Sequence, residues 1–538
     1  KGQPLPGVTV SVKGTTKAVV TDDKGYFKIT GIPDNASLIF SMIGFERKEV
    51  VAIAEMGDIQ LKMSISNLDQ VQVIGYGTTT RRLNTGNVST VKAKEIATQP
   101  VNNPLMALQG RVPGMFIIQQ TGLPGSGMSI EIRGRNSLGM GSDPLYIVDG
   151  VPFTSQSAMA SDGYGILGGA SVTGTPGSGS PFVLINPADI ESIDVLKDAD
   201  ATAIYGTRGT EGRMKIDVKM QNGFGRITRK VKLLNTQQYL EMRHEAFKND
   251  GDVPDPNADY DLTLWDTTRN TDWLKEIVGH TAQYSEIHAS VSGGNGSTQY
   301  RIGTGYTKQT GVTLNRGNND QRGTLDFNIN TTSSDQKFKI AFTGLYAADI
   351  NNLPANLDIE GAVKLPPNAP AMYNADGTIN WEPNTAGVST WPLITSNPAA
   401  SLLLKNVLKN FNVVSNIHLS YQLTSDLQLS AHFGYTNKQT KQYTSYPKAA
   451  FDPSTWDRFE ANSSTVNASN QTWSIEPQVN YTHQIGKGVL LVTIGSSLQQ
   501  TRDNAVLLDA RGFTSDLLLE NPSSATKYTV ILMTSCIG

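Results

Sequence analysis

Through the second half of the chain, apolar and polar residues alternate almost one for one. Ile287, Ala289 and Val291 are interleaved with Glu286, His288, Ser290 and Ser292. Leu325, Phe327 and Ile329 are interleaved with Asp326, Asn328 and Asn330. Ile417, Leu419, Tyr421 and Leu423 repeat the pattern, and Trp473, Ile475, Val479 and Tyr481 lie on one side of another run. A period of two predicts strands with one apolar face. Eight such strands are expected between Ala282 and Leu498. Their connections alternate in length. Residues 293–296, 331–335, 424–426 and 484–488 are short turns, whereas 308–319, 347–409 and 436–470 are long. The alternation alone fits a lipid-facing barrel or a soluble sheet. Short turns at one end and long loops at the other are what a transmembrane β-barrel shows.

The first half reads differently. Short strands are expected at 8–12, 27–29 and 38–41, with turns at Asp23-Lys24-Gly25 and Ile32-Pro33-Asp34. These predict a small β-sandwich over residues 1–63. A polar–apolar run, Asp69, Gln70, Val71, Gln72, Val73 and Ile74, then leads into Gly75-Tyr76-Gly77. Between 80 and 219, strands are expected at 115–118, 129–132, 145–148 and 193–196, with short helices at 102–108 and 198–205. At Arg213, Lys215, Asp217 and Lys219 the alternation continues with charges, and little room for a full strand is expected before 223.

Composition narrows the classes. The 538 residues carry a net charge of -3, which gives no basic signature for nucleic acid. The high glycine content (51 residues) suits turn-rich β-structure. Nowhere do 18 apolar residues run together, so membrane-spanning helices are excluded and a β-barrel is not. A single cysteine, Cys536, rules out an internal disulfide framework. Walker A, HExxH, CxxC and GxSxG patterns are absent. His244, His280, His288, His418, His432 and His483 show no metal-ligand spacing, and no cofactor is expected. The acidic stretch 252–261 lacks EF-hand spacing and reads as a solvated loop. No enzymatic constellation emerges.

Four ordered blocks carry a family resemblance: GRVPGMFIIQQTGLPGSG from Gly110, IEIRGRNS, PLYIVDGVPF, and INPADIESIDVLKDADATAIYG ending at Gly206. Their order and spacing resemble the plug of SusC/RagA-like TonB-dependent outer-membrane transporters of Bacteroidetes. PLPGVTVSVKGTT followed by TDDKGYFKI resembles the carboxypeptidase regulatory-like domain that precedes many such plugs. From its residues alone it reads equally as an immunoglobulin-like spacer. The domain's first strand is expected upstream of Lys1. The run from Asp69 to Ile74 resembles a TonB box; from its residues alone it also reads as an ordinary linker strand. The resemblance implies a mainly β chain: N-terminal β-sandwich (1–63), TonB-box segment (64–79), α+β plug (80–222) and the first part of an antiparallel transmembrane β-barrel (223–538). It places Arg133, Gly134, Asp149, Gly150, Tyr205 and Gly206 in recurring plug blocks, where turn dihedrals and buried polar contacts account for them better than ligand binding.

The same resemblance implies active import of a glycan oligosaccharide or peptide, with a SusD-like surface lipoprotein over the barrel and TonB pulling from the periplasm. The barrel would sit in outer-membrane lipid with the N-terminal domain periplasmic. A surface adhesin without transport, or a non-functional transporter fragment, are the rival readings. Plugged transporters need about 22 strands, so eight strands cannot enclose a plug. The chain is expected to be the N-terminal half of a transporter. Trp381, Trp391 and Trp456 fall in long connections and are candidates for stacking on sugar faces.

Overall fold

A computed structural model describes residues 4–15, 17–33, 36–42, 45, 47–53, 56–61, 71–74, 77–80, 88–96, 98–99, 101–119, 125–132, 144–149, 151–153, 180–196, 214–313, 319–352, 359–391, 397–486 and 488–537. The chain forms two compact units: Lys1–Asn87 with Leu196–Ile204, and Val88–Val195 with Tyr205–Gly538.

In the first unit, β1 (Thr9–Val12), β2 (Ala18–Val20), β3 (Ser37–Ser41) and β4 (Lys48–Val51) form an antiparallel sheet in the order β2-β1-β3-β4. Val8, Val10, Val12, Leu38 and Phe40 make its core. The expected strand at 27–29 is not part of this sheet. The Asp22 carboxylate accepts from the backbone of Lys24 and Tyr26, at 2.9 and 2.8 Å, and this turn carries the chain off the ladder. Phe27 instead packs edge-to-face on Phe40, centroids 5.4 Å apart. Further on, β5 (Val71–Ile74) and β6 (Gly77–Thr80) pair as a two-stranded antiparallel ribbon.

The second unit opens with a small α+β body. It contains β7 (Val88–Lys92), α1 (Ala93–Ile96), β8 (Met115–Gln119), β9 (Met128–Ile132), β10 (Tyr146–Val148), β11 (Val151–Phe153) and β12 (Ser192–Leu196). The strands pair as β7 with β12, β8 with β9, and β10 with β11. The helix expected at 102–108 is a 3-10 helix, Pro104–Leu108, started by Asn103, whose side chain accepts from Leu105 N at 3.0 Å. That expected at 198–205 lies outside the described residues.

An eleven-stranded antiparallel sheet follows: β13 (Lys215–Gly225), β14 (Ala282–Gly294), β15 (Thr298–Thr310), β16 (Asn319–Thr332), β17 (Phe338–Asn351), β18 (Lys405–Gln422), β19 (Leu427–Tyr446), β20 (Asn462–Ile485), β21 (Gly488–Gly495), β22 (Leu498–Arg511) and β23 (Lys527–Ile537). Successive strands are neighbours except β21 and β22, which both pair with β20. The eight strands expected between 282 and 498 are all present. Three more flank them against expectation, β13 at one edge and the β22–β23 pair at the other. β13 pairs with β14 from Lys215↔Ser292 to Gly225↔Ala282, so the sheet starts before the expected boundary at 223. Its charges did not break the strand because they fall on one face: Asp217 and Lys219 line a cavity together with Gln221, while Ile216, Val218 and Met220 are exposed on the other.

The sheet is inverted relative to a soluble one. Its buried side chains are polar: Glu286, His288, Arg322, Asp326, Asn412, Lys438. Its exposed ones are apolar: Ile287, Leu325, Val413, Phe433, Tyr435, Trp473. An apolar outer band around a polar interior is the arrangement of a sheet solvated by lipid on one face. No helix among the described residues is long and apolar enough to cross a membrane. The long connections hold α2 (Thr236–Asp250), α3 (Tyr260–Thr263), α4 (Trp273–Val278) and α5 (Ile359–Lys364).

Candidate functional site

The α+β body sits against the polar face of the sheet, and two kinds of contact hold it there. The first is ionic. Pro187–Asp189 is a short 3-10 turn, fixed by the Asn186 side chain accepting from Ala188 N at 2.9 Å. This turn aims Asp189 at β14 and β15. Asp189 Oδ1 lies 2.7 Å from His288 Nε2 and accepts from Arg301 Nη2 at 3.0 Å. Arg301 also donates through Nη1 to Asp326 on β16. Burial pushes the Asp189 carboxyl upward, but hydrogen bonds and charge from His288 and Arg301 outweigh it and hold it below the ordinary aspartate value. Gly305 on β15 makes the approach possible, because a Cβ there would come within 2.8 Å of Asn186 Nδ2. Nearby, Arg322 Nη1 donates to the Asn102 carbonyl at 3.4 Å and Asn102 bonds Gln309. A cavity of about 310 Å³ lies beside this contact, between Ile96, Val101 and Ile190 on the body and Asp217, Lys219 and Glu286 on the sheet.

The second contact is apolar. Val414 of β18 and Leu345 of β17 join the core formed by Leu105, Ile117, Ile130, Val151 and Phe182. Ala347 packs with Val183 and Leu184. Gly434 on β19 stands where a Cβ would meet Val151 Cγ2 at 3.0 Å. So β14–β16 hold the body by charge and β17–β19 hold it by shape.

Ligand atoms of Asp189, His288 and Asp326 lie within 4.8 Å of one another, close enough for a metal. Arg301 bonds both carboxylates, however, and already supplies the positive charge a cation would bring. The cluster is an electrostatic attachment. None of its four residues was expected from the sequence: Arg301 and Asp189 are 112 positions apart, and the only local signal is a charge on the inward positions of a strand.

Of the expected site residues, Asp69, Gln70, Arg133, Gly134, Gly150, Tyr205 and Gly206 lie outside the described residues. Val71, Gln72, Val73 and Ile74 form β5 and are paired with β6. Asp149 lies between β10 and β11 with φ 48, a left-handed conformation suited to a tight hairpin, and its backbone carbonyl accepts from Asn416 on β18. The tryptophans divide. Trp391 is 5% exposed, lies edge-to-face with Trp273 at 5.8 Å and donates to the Asn380 carbonyl, so it is core to the long connections and offers no open face. Trp381 is half-buried. Trp456 is 40% exposed and donates to the Phe451 carbonyl at 2.9 Å. In the acidic stretch, Asp259 and Asp261 pair with Arg243 at 2.8 and 2.7 Å, leaving them engaged in a local ion network.

Comparison with known proteins agrees with this layout. The family profile described as "TonB-dependent Receptor Plug Domain" matches residues 80–213, and that of the "CarboxypepD_reg-like domain" matches residues 1–73. The chain is 31% identical over 466 residues to the TonB-dependent receptor SusC of Bacteroides thetaiotaomicron, covering 80% of this chain and 43% of that protein. It is 29% identical over 561 residues to a TonB-dependent receptor of Formosa agariphila, covering 99% of this chain and 52% of the relative. The chain thus spans about half the length of the curated relatives it matches. Among solved structures, the RagAB peptide importer in its "open-open" state is similar in fold, with TM-score 0.68 and 21% identity over 87% of this chain and 53% of that one.

Proposed function

This chain belongs to the SusC/RagA-like TonB-dependent receptors, and on that premise we propose that it serves TonB-driven import of a nutrient, a glycan oligosaccharide or a peptide, across the outer membrane. The observation that carries the reading is the inverted sheet with a plug seated on its polar face. A wall solvated by lipid outside and lined with polar groups inside has one use for an insert held partly by shape and partly by one ionic cluster: to block a passage until it is displaced. An insert with few buried apolar contacts to the wall opens locally at lower cost than the wall itself. In this reading the short turns would face the periplasm and the long connections, with their tryptophan core, would face outward, as the two ends of outer-membrane barrels do.

In this reading the plug partly unfolds under force applied at Asp69–Ile74. The described part of that segment, β5, pairs on one edge with β6, and among the described residues its other edge has no strand partner. Periplasmic TonB would add there as a further strand, main-chain hydrogen bonds supplying the grip. A SusD-like lipoprotein would cap the outer connections and deliver the ligand. The substrate is a nutrient bound by polar lumen side chains and by this lid.

The test is a full-length protein lacking residues 69–74. Uptake of labelled ligand by cells falls to background while ligand binding at the surface is retained. Uptake at the native rate in the deletion strain sinks the reading.

A further inference from the structure

The two faces of the wall differ in the sign of their charge as well as in polarity. Cross-strand partners share a face, so the register assigns each charged strand residue to one side. On the outer face, that of Ile287, Leu325 and Val413, the charged residues are Lys308, Lys405, Lys409, Lys441 and Arg502. None of the described strand residues on that face is Asp or Glu. The inner face mixes signs, with Glu286, Asp326 and Asp349 beside Arg322 and Lys438. The outer cations also share one end of the sheet. Lys308 is one outward position beyond Tyr306, and Lys409 is one beyond Phe411, both toward the long connections. Arg502 is one beyond Gln500, which accepts from Trp473 Nε1 at 3.0 Å. The outward positions of β18 from Tyr421 to Phe411 span about 25 Å of height at ordinary strand rise and tilt, the height of the apolar band of an outer-membrane barrel. Lys409 therefore stands where that band ends.

From this placement we propose that Lys409 and Lys441 form a binding site for the phosphate headgroup of an anionic membrane lipid. The two are direct cross-strand partners, and both are exposed. Opposite residues on one face have Cβ atoms about 4.5–5.5 Å apart, where like charges repel and an anion between them removes the repulsion. Lys405 is already neutralised by Glu520 at 3.0 Å, whereas among the described residues no carboxylate pairs with Lys409 or Lys441. Lysine binds phosphate as a point charge, and its long stem lets the ammonium reach headgroup level from a lipid-facing strand. The acyl chains have a place as well. Phe411, Val413 and Ile417 follow Lys409 on the same face of β18, toward the short turns. That apolar track is what a lipid uses and a free phosphate ion does not. The site rests on the lipid-facing band and is independent of import.

The test uses full-length protein, stripped of native lipid in detergent and titrated with phosphatidylglycerol or with zwitterionic phosphatidylcholine. Native mass spectrometry reads the bound lipid. The native protein holds phosphatidylglycerol about tenfold or more tighter, and the double variant Lys409→Gln, Lys441→Gln loses that preference. The charge-keeping double variant Lys409→Arg, Lys441→Arg retains it. Lys405→Gln, whose charge is already paired with Glu520, shifts it by less than about twofold. Variants are compared only where the barrel still migrates as a folded species in unheated gels, and the arginine pair keeps the test open if the glutamine pair does not fold. Inorganic phosphate at millimolar concentration leaves the bound lipid in place. Displacement by inorganic phosphate overturns the proposal in favour of a free-anion site. A native protein indifferent to lipid charge overturns it too and leaves the lysine pair to an acidic protein surface. An undiminished preference in the folded glutamine variant, or its loss in the folded arginine variant, has the same force.

Discussion

The two largest β-sheets among the described residues use the same alternation and bury opposite faces. In the first unit, the strand TVSV buries Val10 and Val12, and Thr9 and Ser11 lie on its other face. In the wall, the strand around Leu325 leaves Leu325 42% exposed and buries Thr324 and Asp326. Period-two patterning sets which residues share a face and is silent on which face meets solvent. The solvent decides. Water rewards burying valine, while lipid makes it costless to expose leucine and costly to expose aspartate. Polar groups then gather where protein can satisfy them, between wall and plug.

Two substitutions break this contrast most directly. Val10→Asp places an unpaired carboxylate in a core position with no exposed surface and costs at least about 4 kcal/mol, enough to unfold the small sheet. Limited proteolysis of residues 1–61 shows it, with the wall still resistant. Leu325→Arg comes next. Near the middle of β16 and facing lipid, it costs about 2–4 kcal/mol in reversible unfolding from bilayers. A water-exposed position would tolerate the same change within about 0.5 kcal/mol. A neutral Leu325→Arg would therefore place the apolar face of the wall in water and remove the barrel.

Much of this was readable in the residues. The strands from 282 to 498, their short turns and the plug strands are local patterns, and the structure has them. Readings failed where the deciding fact is non-local. At β13 the charges at Lys215, Asp217 and Lys219 look like a break in an apolar strand until the opposite face is known to be inward. At 27–29, a strand-like FKI leaves the ladder because Asp22 caps a turn upstream. Trp391 looks like an exposed loop aromatic until Trp273, from another connection, covers it. The ionic attachment at Asp189 draws on three strands and a plug turn, and no window of sequence contains it. The segment around Asp69 and the glycines of the plug blocks carry family meaning that their physical chemistry alone does not express.

The attachment gives a third, smaller effect. Asp189→Ala leaves His288 and Arg301 without their plug partner inside a buried contact. Arg301 keeps Asp326, so the cost is that of one charged hydrogen-bond acceptor, about 2 kcal/mol. Denaturant titration followed by plug-specific hydrogen exchange reads it: protection falls across residues 180–196 and holds in β18 and β19, where Val414 maintains the apolar contact. Acid has the same direction. Because Asp189 is held below its ordinary value, its contribution is present above the ordinary aspartate range and is lost as pH falls through the lowered value. Equal loss of protection on both sides of the plug would merge what the geometry separates.

The finest contrast compares one residue type in both sheets. Thr21 is among the few buried polar residues of the first unit. Its hydroxyl accepts from Val8 N at 2.9 Å and donates to the Leu5 carbonyl at 2.8 Å. Thr440 is one of many on the inner wall and donates to Asn410 Oδ1 at 2.9 Å. Asn410 remains engaged after Thr440→Val, because its amide still donates to Asp349 at 3.3 Å. Thr440→Val therefore leaves one acceptor short in a polar network with neighbours to share the loss, costing about 0.5–1 kcal/mol. Thr21→Val strands a backbone donor and a backbone acceptor in an apolar core with no substitute, and costs about 2 kcal/mol. Chemical denaturation of the paired variants measures the difference. If the wall variant cost as much as the core variant, the inner face would be organised as a dry core, and a lumen lined for polar cargo would lose its physical support.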